Sequence, residues 1–308
     1  MSAPALLLAL SGIAAGCWGG DDDDPEIGCS GGVIDVTVTL PMFAEFACSV
    51  GSGNVNVGAL LPLEGDPHSY VPPESDSELI SGAKLVLYAG LGLDEPLREY
   101  IFTHGRGSAQ LINYAASLRS PTAEQPPQDQ PEIDAQEAGD NPYLWLDPAI
   151  ARGYVDATRD SLEIVDPEHI SDYQAAYDAY AQRIAELQVE MTQDLEAIPA
   201  QNRNLVTLHD SMVHFGRAFG FGIVGHLTEP GETPDEAAIA DLADAVREAG
   251  VPAVFTEAGY DASLMQRVAD AAGVELCTLY TDRADSGAHT YEEMMRVNVD
   301  ELVRCLGG

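Results

Sequence analysis

The chain has 308 residues, longer than one hydrophobic core comfortably supports and suited to two lobes. Hydrophobic residues make up 45%, so each lobe can bury a core and a wholly disordered chain is excluded. Against 51 Asp plus Glu stand 14 Lys plus Arg, a formal charge of −37 that repels phosphate backbones, excludes nucleic acid as a partner and concentrates cations.

Pro4 to Gly16 form an apolar run of small residues and leucines, too short to span a bilayer but suited to a signal-peptide core. It ends Ala14-Ala15-Gly16-Cys17, which resembles a bacterial lipobox, although no Lys or Arg precedes the run. Residues 1–16 therefore read as a signal peptide and Cys17 as the lipidation site. A plain signal peptide or a buried helix is the alternative. Residues 17–30 carry Trp18-Gly19-Gly20 and then Asp21 to Asp24, an acidic, self-repelling tether. The expected product is an exported lipoprotein, in the periplasm or on the outer face of the cell membrane, that touches the bilayer through its lipid alone.

Removing Cys17 leaves Cys29, Cys48, Cys277 and Cys305, an even set that suggests two disulfides in an exported protein. Four cysteines allow three pairings. The local pairs Cys29–Cys48 and Cys277–Cys305, each within one lobe, are favoured over the long-range ones and over free buried thiols.

Strand patterns lie at Val33–Leu40, Val55–Leu61 and Lys84–Tyr88, with helical patterns between them, the signature of βαβ units and a parallel sheet. Ser120 to Asn141 is Pro-, Gln- and acid-rich and reads as a surface loop. From Asp172 to Ile198, apolar residues recur every three or four positions from Tyr173 onward, so one long helix is expected. The second half repeats the alternation, with strands at Leu205–Leu208, Val251–Thr256 and Val274–Tyr280. Thr233-Pro234-Asp235-Glu236 reads as a capping box opening a helix that ends before Gly250. Asp261 caps the next helix, Gly273 ends it, and a last helix runs from about Tyr291 to Cys305. The predicted fold is α/β. It has two lobes, each with a mainly parallel sheet flanked by helices, at residues 31–170 and 200–308, joined by a backbone helix at 171–199.

In open α/β sheets, ligands bind beyond the carboxyl ends of the strands. There the sequence places Asp66-Pro67-His68-Ser69-Tyr70, Asn141-Pro142-Tyr143-Leu144-Trp145-Leu146-Asp147-Pro148, His209-Asp210 and Thr281-Asp282. Two imidazoles and a carboxylate at such ends supply three-quarters of a tetrahedral metal site. Of the remaining candidates, His214 reads as a packing or surface residue, and His169 and His289 as surface residues. His226 and Glu229 lie near the cleft by pattern, and Glu257, at a strand end, could orient a ligand or accept a bond from a helix cap but is not itself read as a ligand.

These motifs, with Tyr88-Ala89-Gly90-Leu91-Gly92-Leu93-Asp94, Val206-Thr207-Leu208-His209-Asp210 and Phe255-Thr256-Glu257, resemble the metal-specific (zinc/manganese) solute-binding lipoproteins of bacterial ABC importers over residues 33 to 305. The resemblance implies two α/β lobes joined by a rigid helix with one metal ion between them. It implies His68, His209 and Asp282 as first, third and fourth ligands. Tyr143 stands where the family has a second histidine. As a phenolate Tyr143 would favour a harder ion such as Fe3+; a water or His104 could fill the place instead; or Tyr143 packs beside a three-ligand site. His at the third position resembles zinc-type receptors, so Zn2+ is favoured over Mn2+ or Fe. Cys277 and Cys305 also resemble a disulfide of the zinc branch.

The implied function is extracytoplasmic capture of a divalent metal by a monomer that delivers it to an ABC permease, with no catalysis. Two alternatives are a metal-dependent hydrolase with an open coordination position and an adhesin-like lipoprotein with a structural metal.

Overall fold

The computed structural model describes residues 28–105, 109–118, 141–283, 287–288 and 290–307. The expected signal peptide, Cys17 and its tether through residue 27, nearly all of the acidic loop, and His289 lie outside them.

The first lobe holds five strands: β1 (Gly28–Cys29), β2 (Ile34–Val38), β3 (Val55–Ala59), β4 (Leu85–Tyr88) and β5 (Gln110–Asn113). Their order is β1-β3-β2-β4-β5, parallel except for β1, which runs antiparallel to β3. Residues 28 and 29, within the expected tether, thus belong to the folded body, and Cys29 is bonded to Cys48. Five helices belong to this lobe: α1 (Pro41–Gly51), α2 (Ser77–Gly82), α3 (Glu95–His104), α4 (Tyr114–Ser117) and α5 (Pro148–Val165). The last starts sharply because Asp147 caps it, accepting from the Ala149 amide at 2.9 Å, with Pro148 at the first helical position.

The linking helix α6 (Ile170–Leu195) has 26 residues, about 39 Å at 1.5 Å per residue. Its predicted stripe is buried at every position from Tyr173 to Ile198. It packs on α1 and α5 of the first lobe and on the C-terminal helix Tyr291–Leu306 of the second. The main core therefore runs unbroken from the first sheet through α6 into Phe215, Phe255, Leu279 and Met295. Rigid attachment of both lobes follows from that continuity.

The second lobe contains β6 (Asn204–Thr207), α7 (Val213–Phe219), β7 (Gly222–His226), α8 (Glu236–Ala249), β8 (Ala253–Glu257), α9 (Ala262–Ala272), β9 (Glu275–Leu279) and α10 (Tyr291–Leu306). β6 pairs in parallel with β7, β8 pairs in parallel with β9, and β6 lies beside β8. A second core of Val206, Leu242, Val246, Val254 and Met265 seals the face under α8 and α9. Gly250 and Gly273 end those helices in the left-handed conformation (φ 66° and 75°), and Asp261 caps α9, as the sequence predicts. The cap of α8 differs. Asp235, not Thr233, accepts from the Ala238 amide at 2.8 Å. Two overlapping cap signals compete there, and the one adjoining the apolar stripe prevails. A full capping box forms instead at Thr290 and Glu293, opening α10. Cys277 is bonded to Cys305, fastening β9 to α10.

No helix among the described residues is long and apolar enough to cross a membrane.

Candidate metal centre

Four loops that follow strands or open helices meet between the lobes. His68 lies after β3 in a turn set by Asp66, whose Oδ1 accepts the His68 amide at 3.0 Å and whose Oδ2 accepts Ser69 Oγ at 2.9 Å. Tyr143 lies just before the turn that leads into α5. His209 follows β6 by two residues, and Asp282 follows β9. Their separation in sequence is large; their separation in space is not.

His68 Nε2 is 3.2 Å from Asp282 Oδ2 and 3.2 Å from Tyr143 Oη. Tyr143 Oη donates to Asp282 Oδ2 at 3.5 Å. The His209 ring centre lies 6.4 Å from that of His68. Two imidazoles sharing one tetrahedral zinc would hold their ring centres about 5 Å apart, so an ion here needs about an ångström of further approach by the two histidines. Asp282 is fully buried and Tyr143 and His209 nearly so, at 2% and 4% exposure, whereas the His68 side chain keeps 13%.

Behind His209 stands Glu257, itself buried. Its Oε2 is 2.9 Å from His209 Nδ1 and its Oε1 accepts the His209 amide at 3.1 Å. Ser211 Oγ and Thr281 Oγ1 donate to the same carboxylate at 2.7 and 3.2 Å. A carboxylate accepts, so Nδ1 of His209 carries the proton and Nε2 keeps its lone pair for an ion. Burial opposes a charge on His209, but the Glu257 bond and the Glu257 and Asp282 charges outweigh it and raise its pKa. Burial, reinforced by the Asp282 and Glu257 carboxylates, pushes the Tyr143 phenol far above its ordinary range, so it is a neutral donor.

The structure thus brings together His68, Tyr143 and Asp282, with His209 facing them. It takes His104 away from this point: its Nδ1 lies 2.9 Å from the Tyr100 carbonyl, its ring stacks on Tyr100, and Nε2 pairs with Glu74. His104 therefore does not fill the second position, because α3 turns its last residue toward the Pro73–Asp76 segment. His214 is buried, with Nε2 3.3 Å from the Asn141 carbonyl. His226 sits between Glu229 at 3.0 Å and Asp210 at 3.7 Å. His169 pairs with Asp166 at 2.7 Å. One described group of His, Cys, Asp or Glu brings its donor atoms within 4.8 Å of one another, Glu275 with Cys277 and Cys305, and there both sulfurs are spent in the disulfide.

Two contributors escaped the sequence reading. Tyr260 donates from Oη to Asp282 Oδ2 at 3.0 Å and meets the His209 ring edge-on, 4.7 Å between centres. Arg283 lies over the Tyr260 ring at 3.7 Å. Neither carries a motif; the nearest signal is the strand-end position of both loops. Across the seam, Trp145 Nε1 donates to the Thr281 carbonyl at 2.9 Å and Tyr291 Oη donates to the Trp145 carbonyl at 3.0 Å. These bonds fix the Tyr143 loop against the Asp282 loop.

The manganese-binding lipoprotein MntA of Halalkalibacterium halodurans is 29% identical over 306 residues, 97% of this chain and 96% of that protein. The zinc-binding protein TroA of Treponema pallidum is 28% identical over 283 residues, 88% of each. The solved structure of the latter, a periplasmic zinc-binding protein, matches with a TM-score of 0.77 at 26% identity, covering 88% of this chain and 98% of that one. A match to the family described as zinc-uptake complex component A, periplasmic, runs from residue 36 to 305 and takes in all four facing side chains; the chain belongs to that family.

Proposed function

We propose that the protein is the extracytoplasmic receptor of an ABC metal importer. It captures a divalent transition metal through His68, His209 and Asp282 and delivers it to a permease in the cytoplasmic membrane. Zn2+ is the favoured cargo, because two imidazoles and one carboxylate suit a borderline-soft ion better than they suit Mn2+. Tyr143 closes the fourth side as a neutral phenol, a weaker donor than imidazole, so the site holds zinc less tightly than one with a third histidine.

The observation that carries the reading is the approach of His68 Nε2 to Asp282 Oδ2 at 3.2 Å across the lobe seam, with His209 presented from behind by Glu257. Glu257 is engaged by His209, Ser211 and Thr281, so it orients a ligand rather than activating a water. Similarity to a manganese-binding and a zinc-binding lipoprotein or receptor supports import and leaves the choice of ion to the donor set. We infer that the protein is a monomer held at the membrane by a lipid on Cys17, with residues 1–16 removed as a signal peptide and the tether ending where β1 begins.

Calorimetry of the metal-stripped protein with zinc tests this. Wild type should bind one equivalent, and His68→Ala and His209→Ala should each weaken binding by orders of magnitude. Unchanged affinity in both variants would reject the assignment. Elemental analysis of protein purified without added metal should find zinc.

A further inference from the structure

We infer that Arg283 is a positioning residue that ties the His68 turn of the first lobe to Asp282 of the second and so governs how fast the cargo ion leaves; the inference rests on the receptor reading above. Arg283 follows Asp282 directly in the chain, yet its side chain is folded back and only 12% exposed. Its Nη2 lies 3.2 Å from Asp66 Oδ2, and Nη1 lies 3.5 Å from the Glu64 carbonyl, both on the opposite lobe. Nη1 also donates to the Gly259 carbonyl at 2.5 Å on its own lobe. Gly259 is required for this packing: its φ is +79°, and a Cβ there would fall 2.5 Å from Arg283 Cδ.

Two arms leave the guanidinium, and both end on proposed ligands. Through Asp66, one arm reaches the His68 amide at 3.0 Å. The other passes through the Tyr260 ring, stacked 3.7 Å below the guanidinium carbon, to Asp282 at 3.0 Å and to the edge of His209. Drawing His68 away from Asp282 must break the Asp66–Arg283 pair and uncover Tyr260. Losing the pair therefore lowers the barrier to opening without deleting a ligand, and the effect falls on ion release more than on capture.

The test is stopped-flow release of Zn2+ from the loaded full chain into excess chelator. Arg283→Gln should speed release about tenfold and Asp66→Asn by less, and the double variant should be no faster than Arg283→Gln alone, because the pair that Asp66 contributes is already broken there. Arg283→Lys should recover part of the slow release, since it restores the charge but not the planar contact with Tyr260. Asp66→Asn keeps an oxygen for the His68 amide. If Arg283→Gln does not fold, Asp66→Asn and Arg283→Lys decide the matter between them. Release as slow as wild type in the single variants, or effects that add independently in the double, would overturn the latch. His209→Ala is run alongside: loss of its zinc upholds the receptor reading while the latch is judged, and tight zinc in that variant overturns the receptor reading itself.

Discussion

His209 and His68 face one point from opposite lobes, but they are held by different means. His209 follows directly on a parallel strand, two residues past its end, and a buried carboxylate grips both its amide and its Nδ1. Thr207 Oγ1 donates to its carbonyl at 2.6 Å as well. His68 sits in a turn after β3, more exposed, positioned by Asp66 and by its contacts across the seam. The second lobe therefore offers a preformed half-site, and the first lobe supplies an adjustable arm. Tyr143 belongs with the fixed half in practice, because Trp145 ties its loop to Thr281. A receptor must hold its cargo and still surrender it, and this division places the strength on one side and the freedom on the other.

The comparison can be broken most decisively at the fixed half. His209→Ala should abolish tight zinc binding in calorimetry, and Asp282→Ala likewise. Glu257→Gln should leave the ligands in place but cost about 10- to 100-fold in affinity, since it stops enforcing the His209 tautomer. If Glu257→Gln costs nothing, the half-site is not preformed by that carboxylate.

A buried carboxyl where the two lobes pack should make the fold sensitive to pH. Glu45 of α1 accepts the Tyr291 amide of α10 at 2.6 Å, beside Glu292, with Arg183 of α6 at 4.0 Å. Burial first, then the Glu292 charge, raises its pKa to about 7. A carboxyl raised in the folded state stabilises fully below its unfolded pKa and loses that contribution as the pH rises through the folded one. From about pH 4.5 to 7 the fold should therefore lose about 3 kcal/mol through this group. Glu45→Gln should flatten that slope in thermal unfolding followed against pH; an unchanged slope would place the titration elsewhere.

The smallest effect belongs to Tyr143. Tyr143→His should raise zinc affinity, since the phenol points at His68 Nε2 and Asp282, and an imidazole there completes a fourth nitrogen or oxygen donor. Tyr143→Phe should lower it by less than about tenfold, the cost of one long hydrogen bond worth about 1 kcal/mol. A loss of affinity in Tyr143→His would mean that the phenol is itself a preferred donor.

Much of this was legible in the sequence. The βαβ alternation, the stripe of α6, the glycine stops at 250 and 273 and the motifs around His68, Tyr143, His209 and Asp282 each carry a local signal, because period, cap and turn chemistry are set by neighbours in the chain; no strand among the described residues leads into the Tyr143 motif. β7 escaped, since Gly222 and Gly225 thin its apolar pattern and none of its five residues is fully buried. α5 escaped notice as an element although Asp147-Pro148 announces its start. Tyr260 and Arg283 were invisible for a different reason. Their roles depend on contacts 22 to 219 residues away in sequence, and an isolated Tyr or Arg carries no spacing to read. Glu257 lay between: its strand-end position suggested that it orients a ligand, and only the fold shows that it grips His209.

On the receptor reading, one ion is held between the lobes by His68, His209 and Asp282. Anomalous diffraction at the zinc edge from zinc-loaded crystals tests it most directly. A single strong peak about 2.0–2.2 Å from His68 Nε2, His209 Nε2 and an Asp282 oxygen is the predicted result. A peak at any other cluster, or none at the seam, would contradict the account.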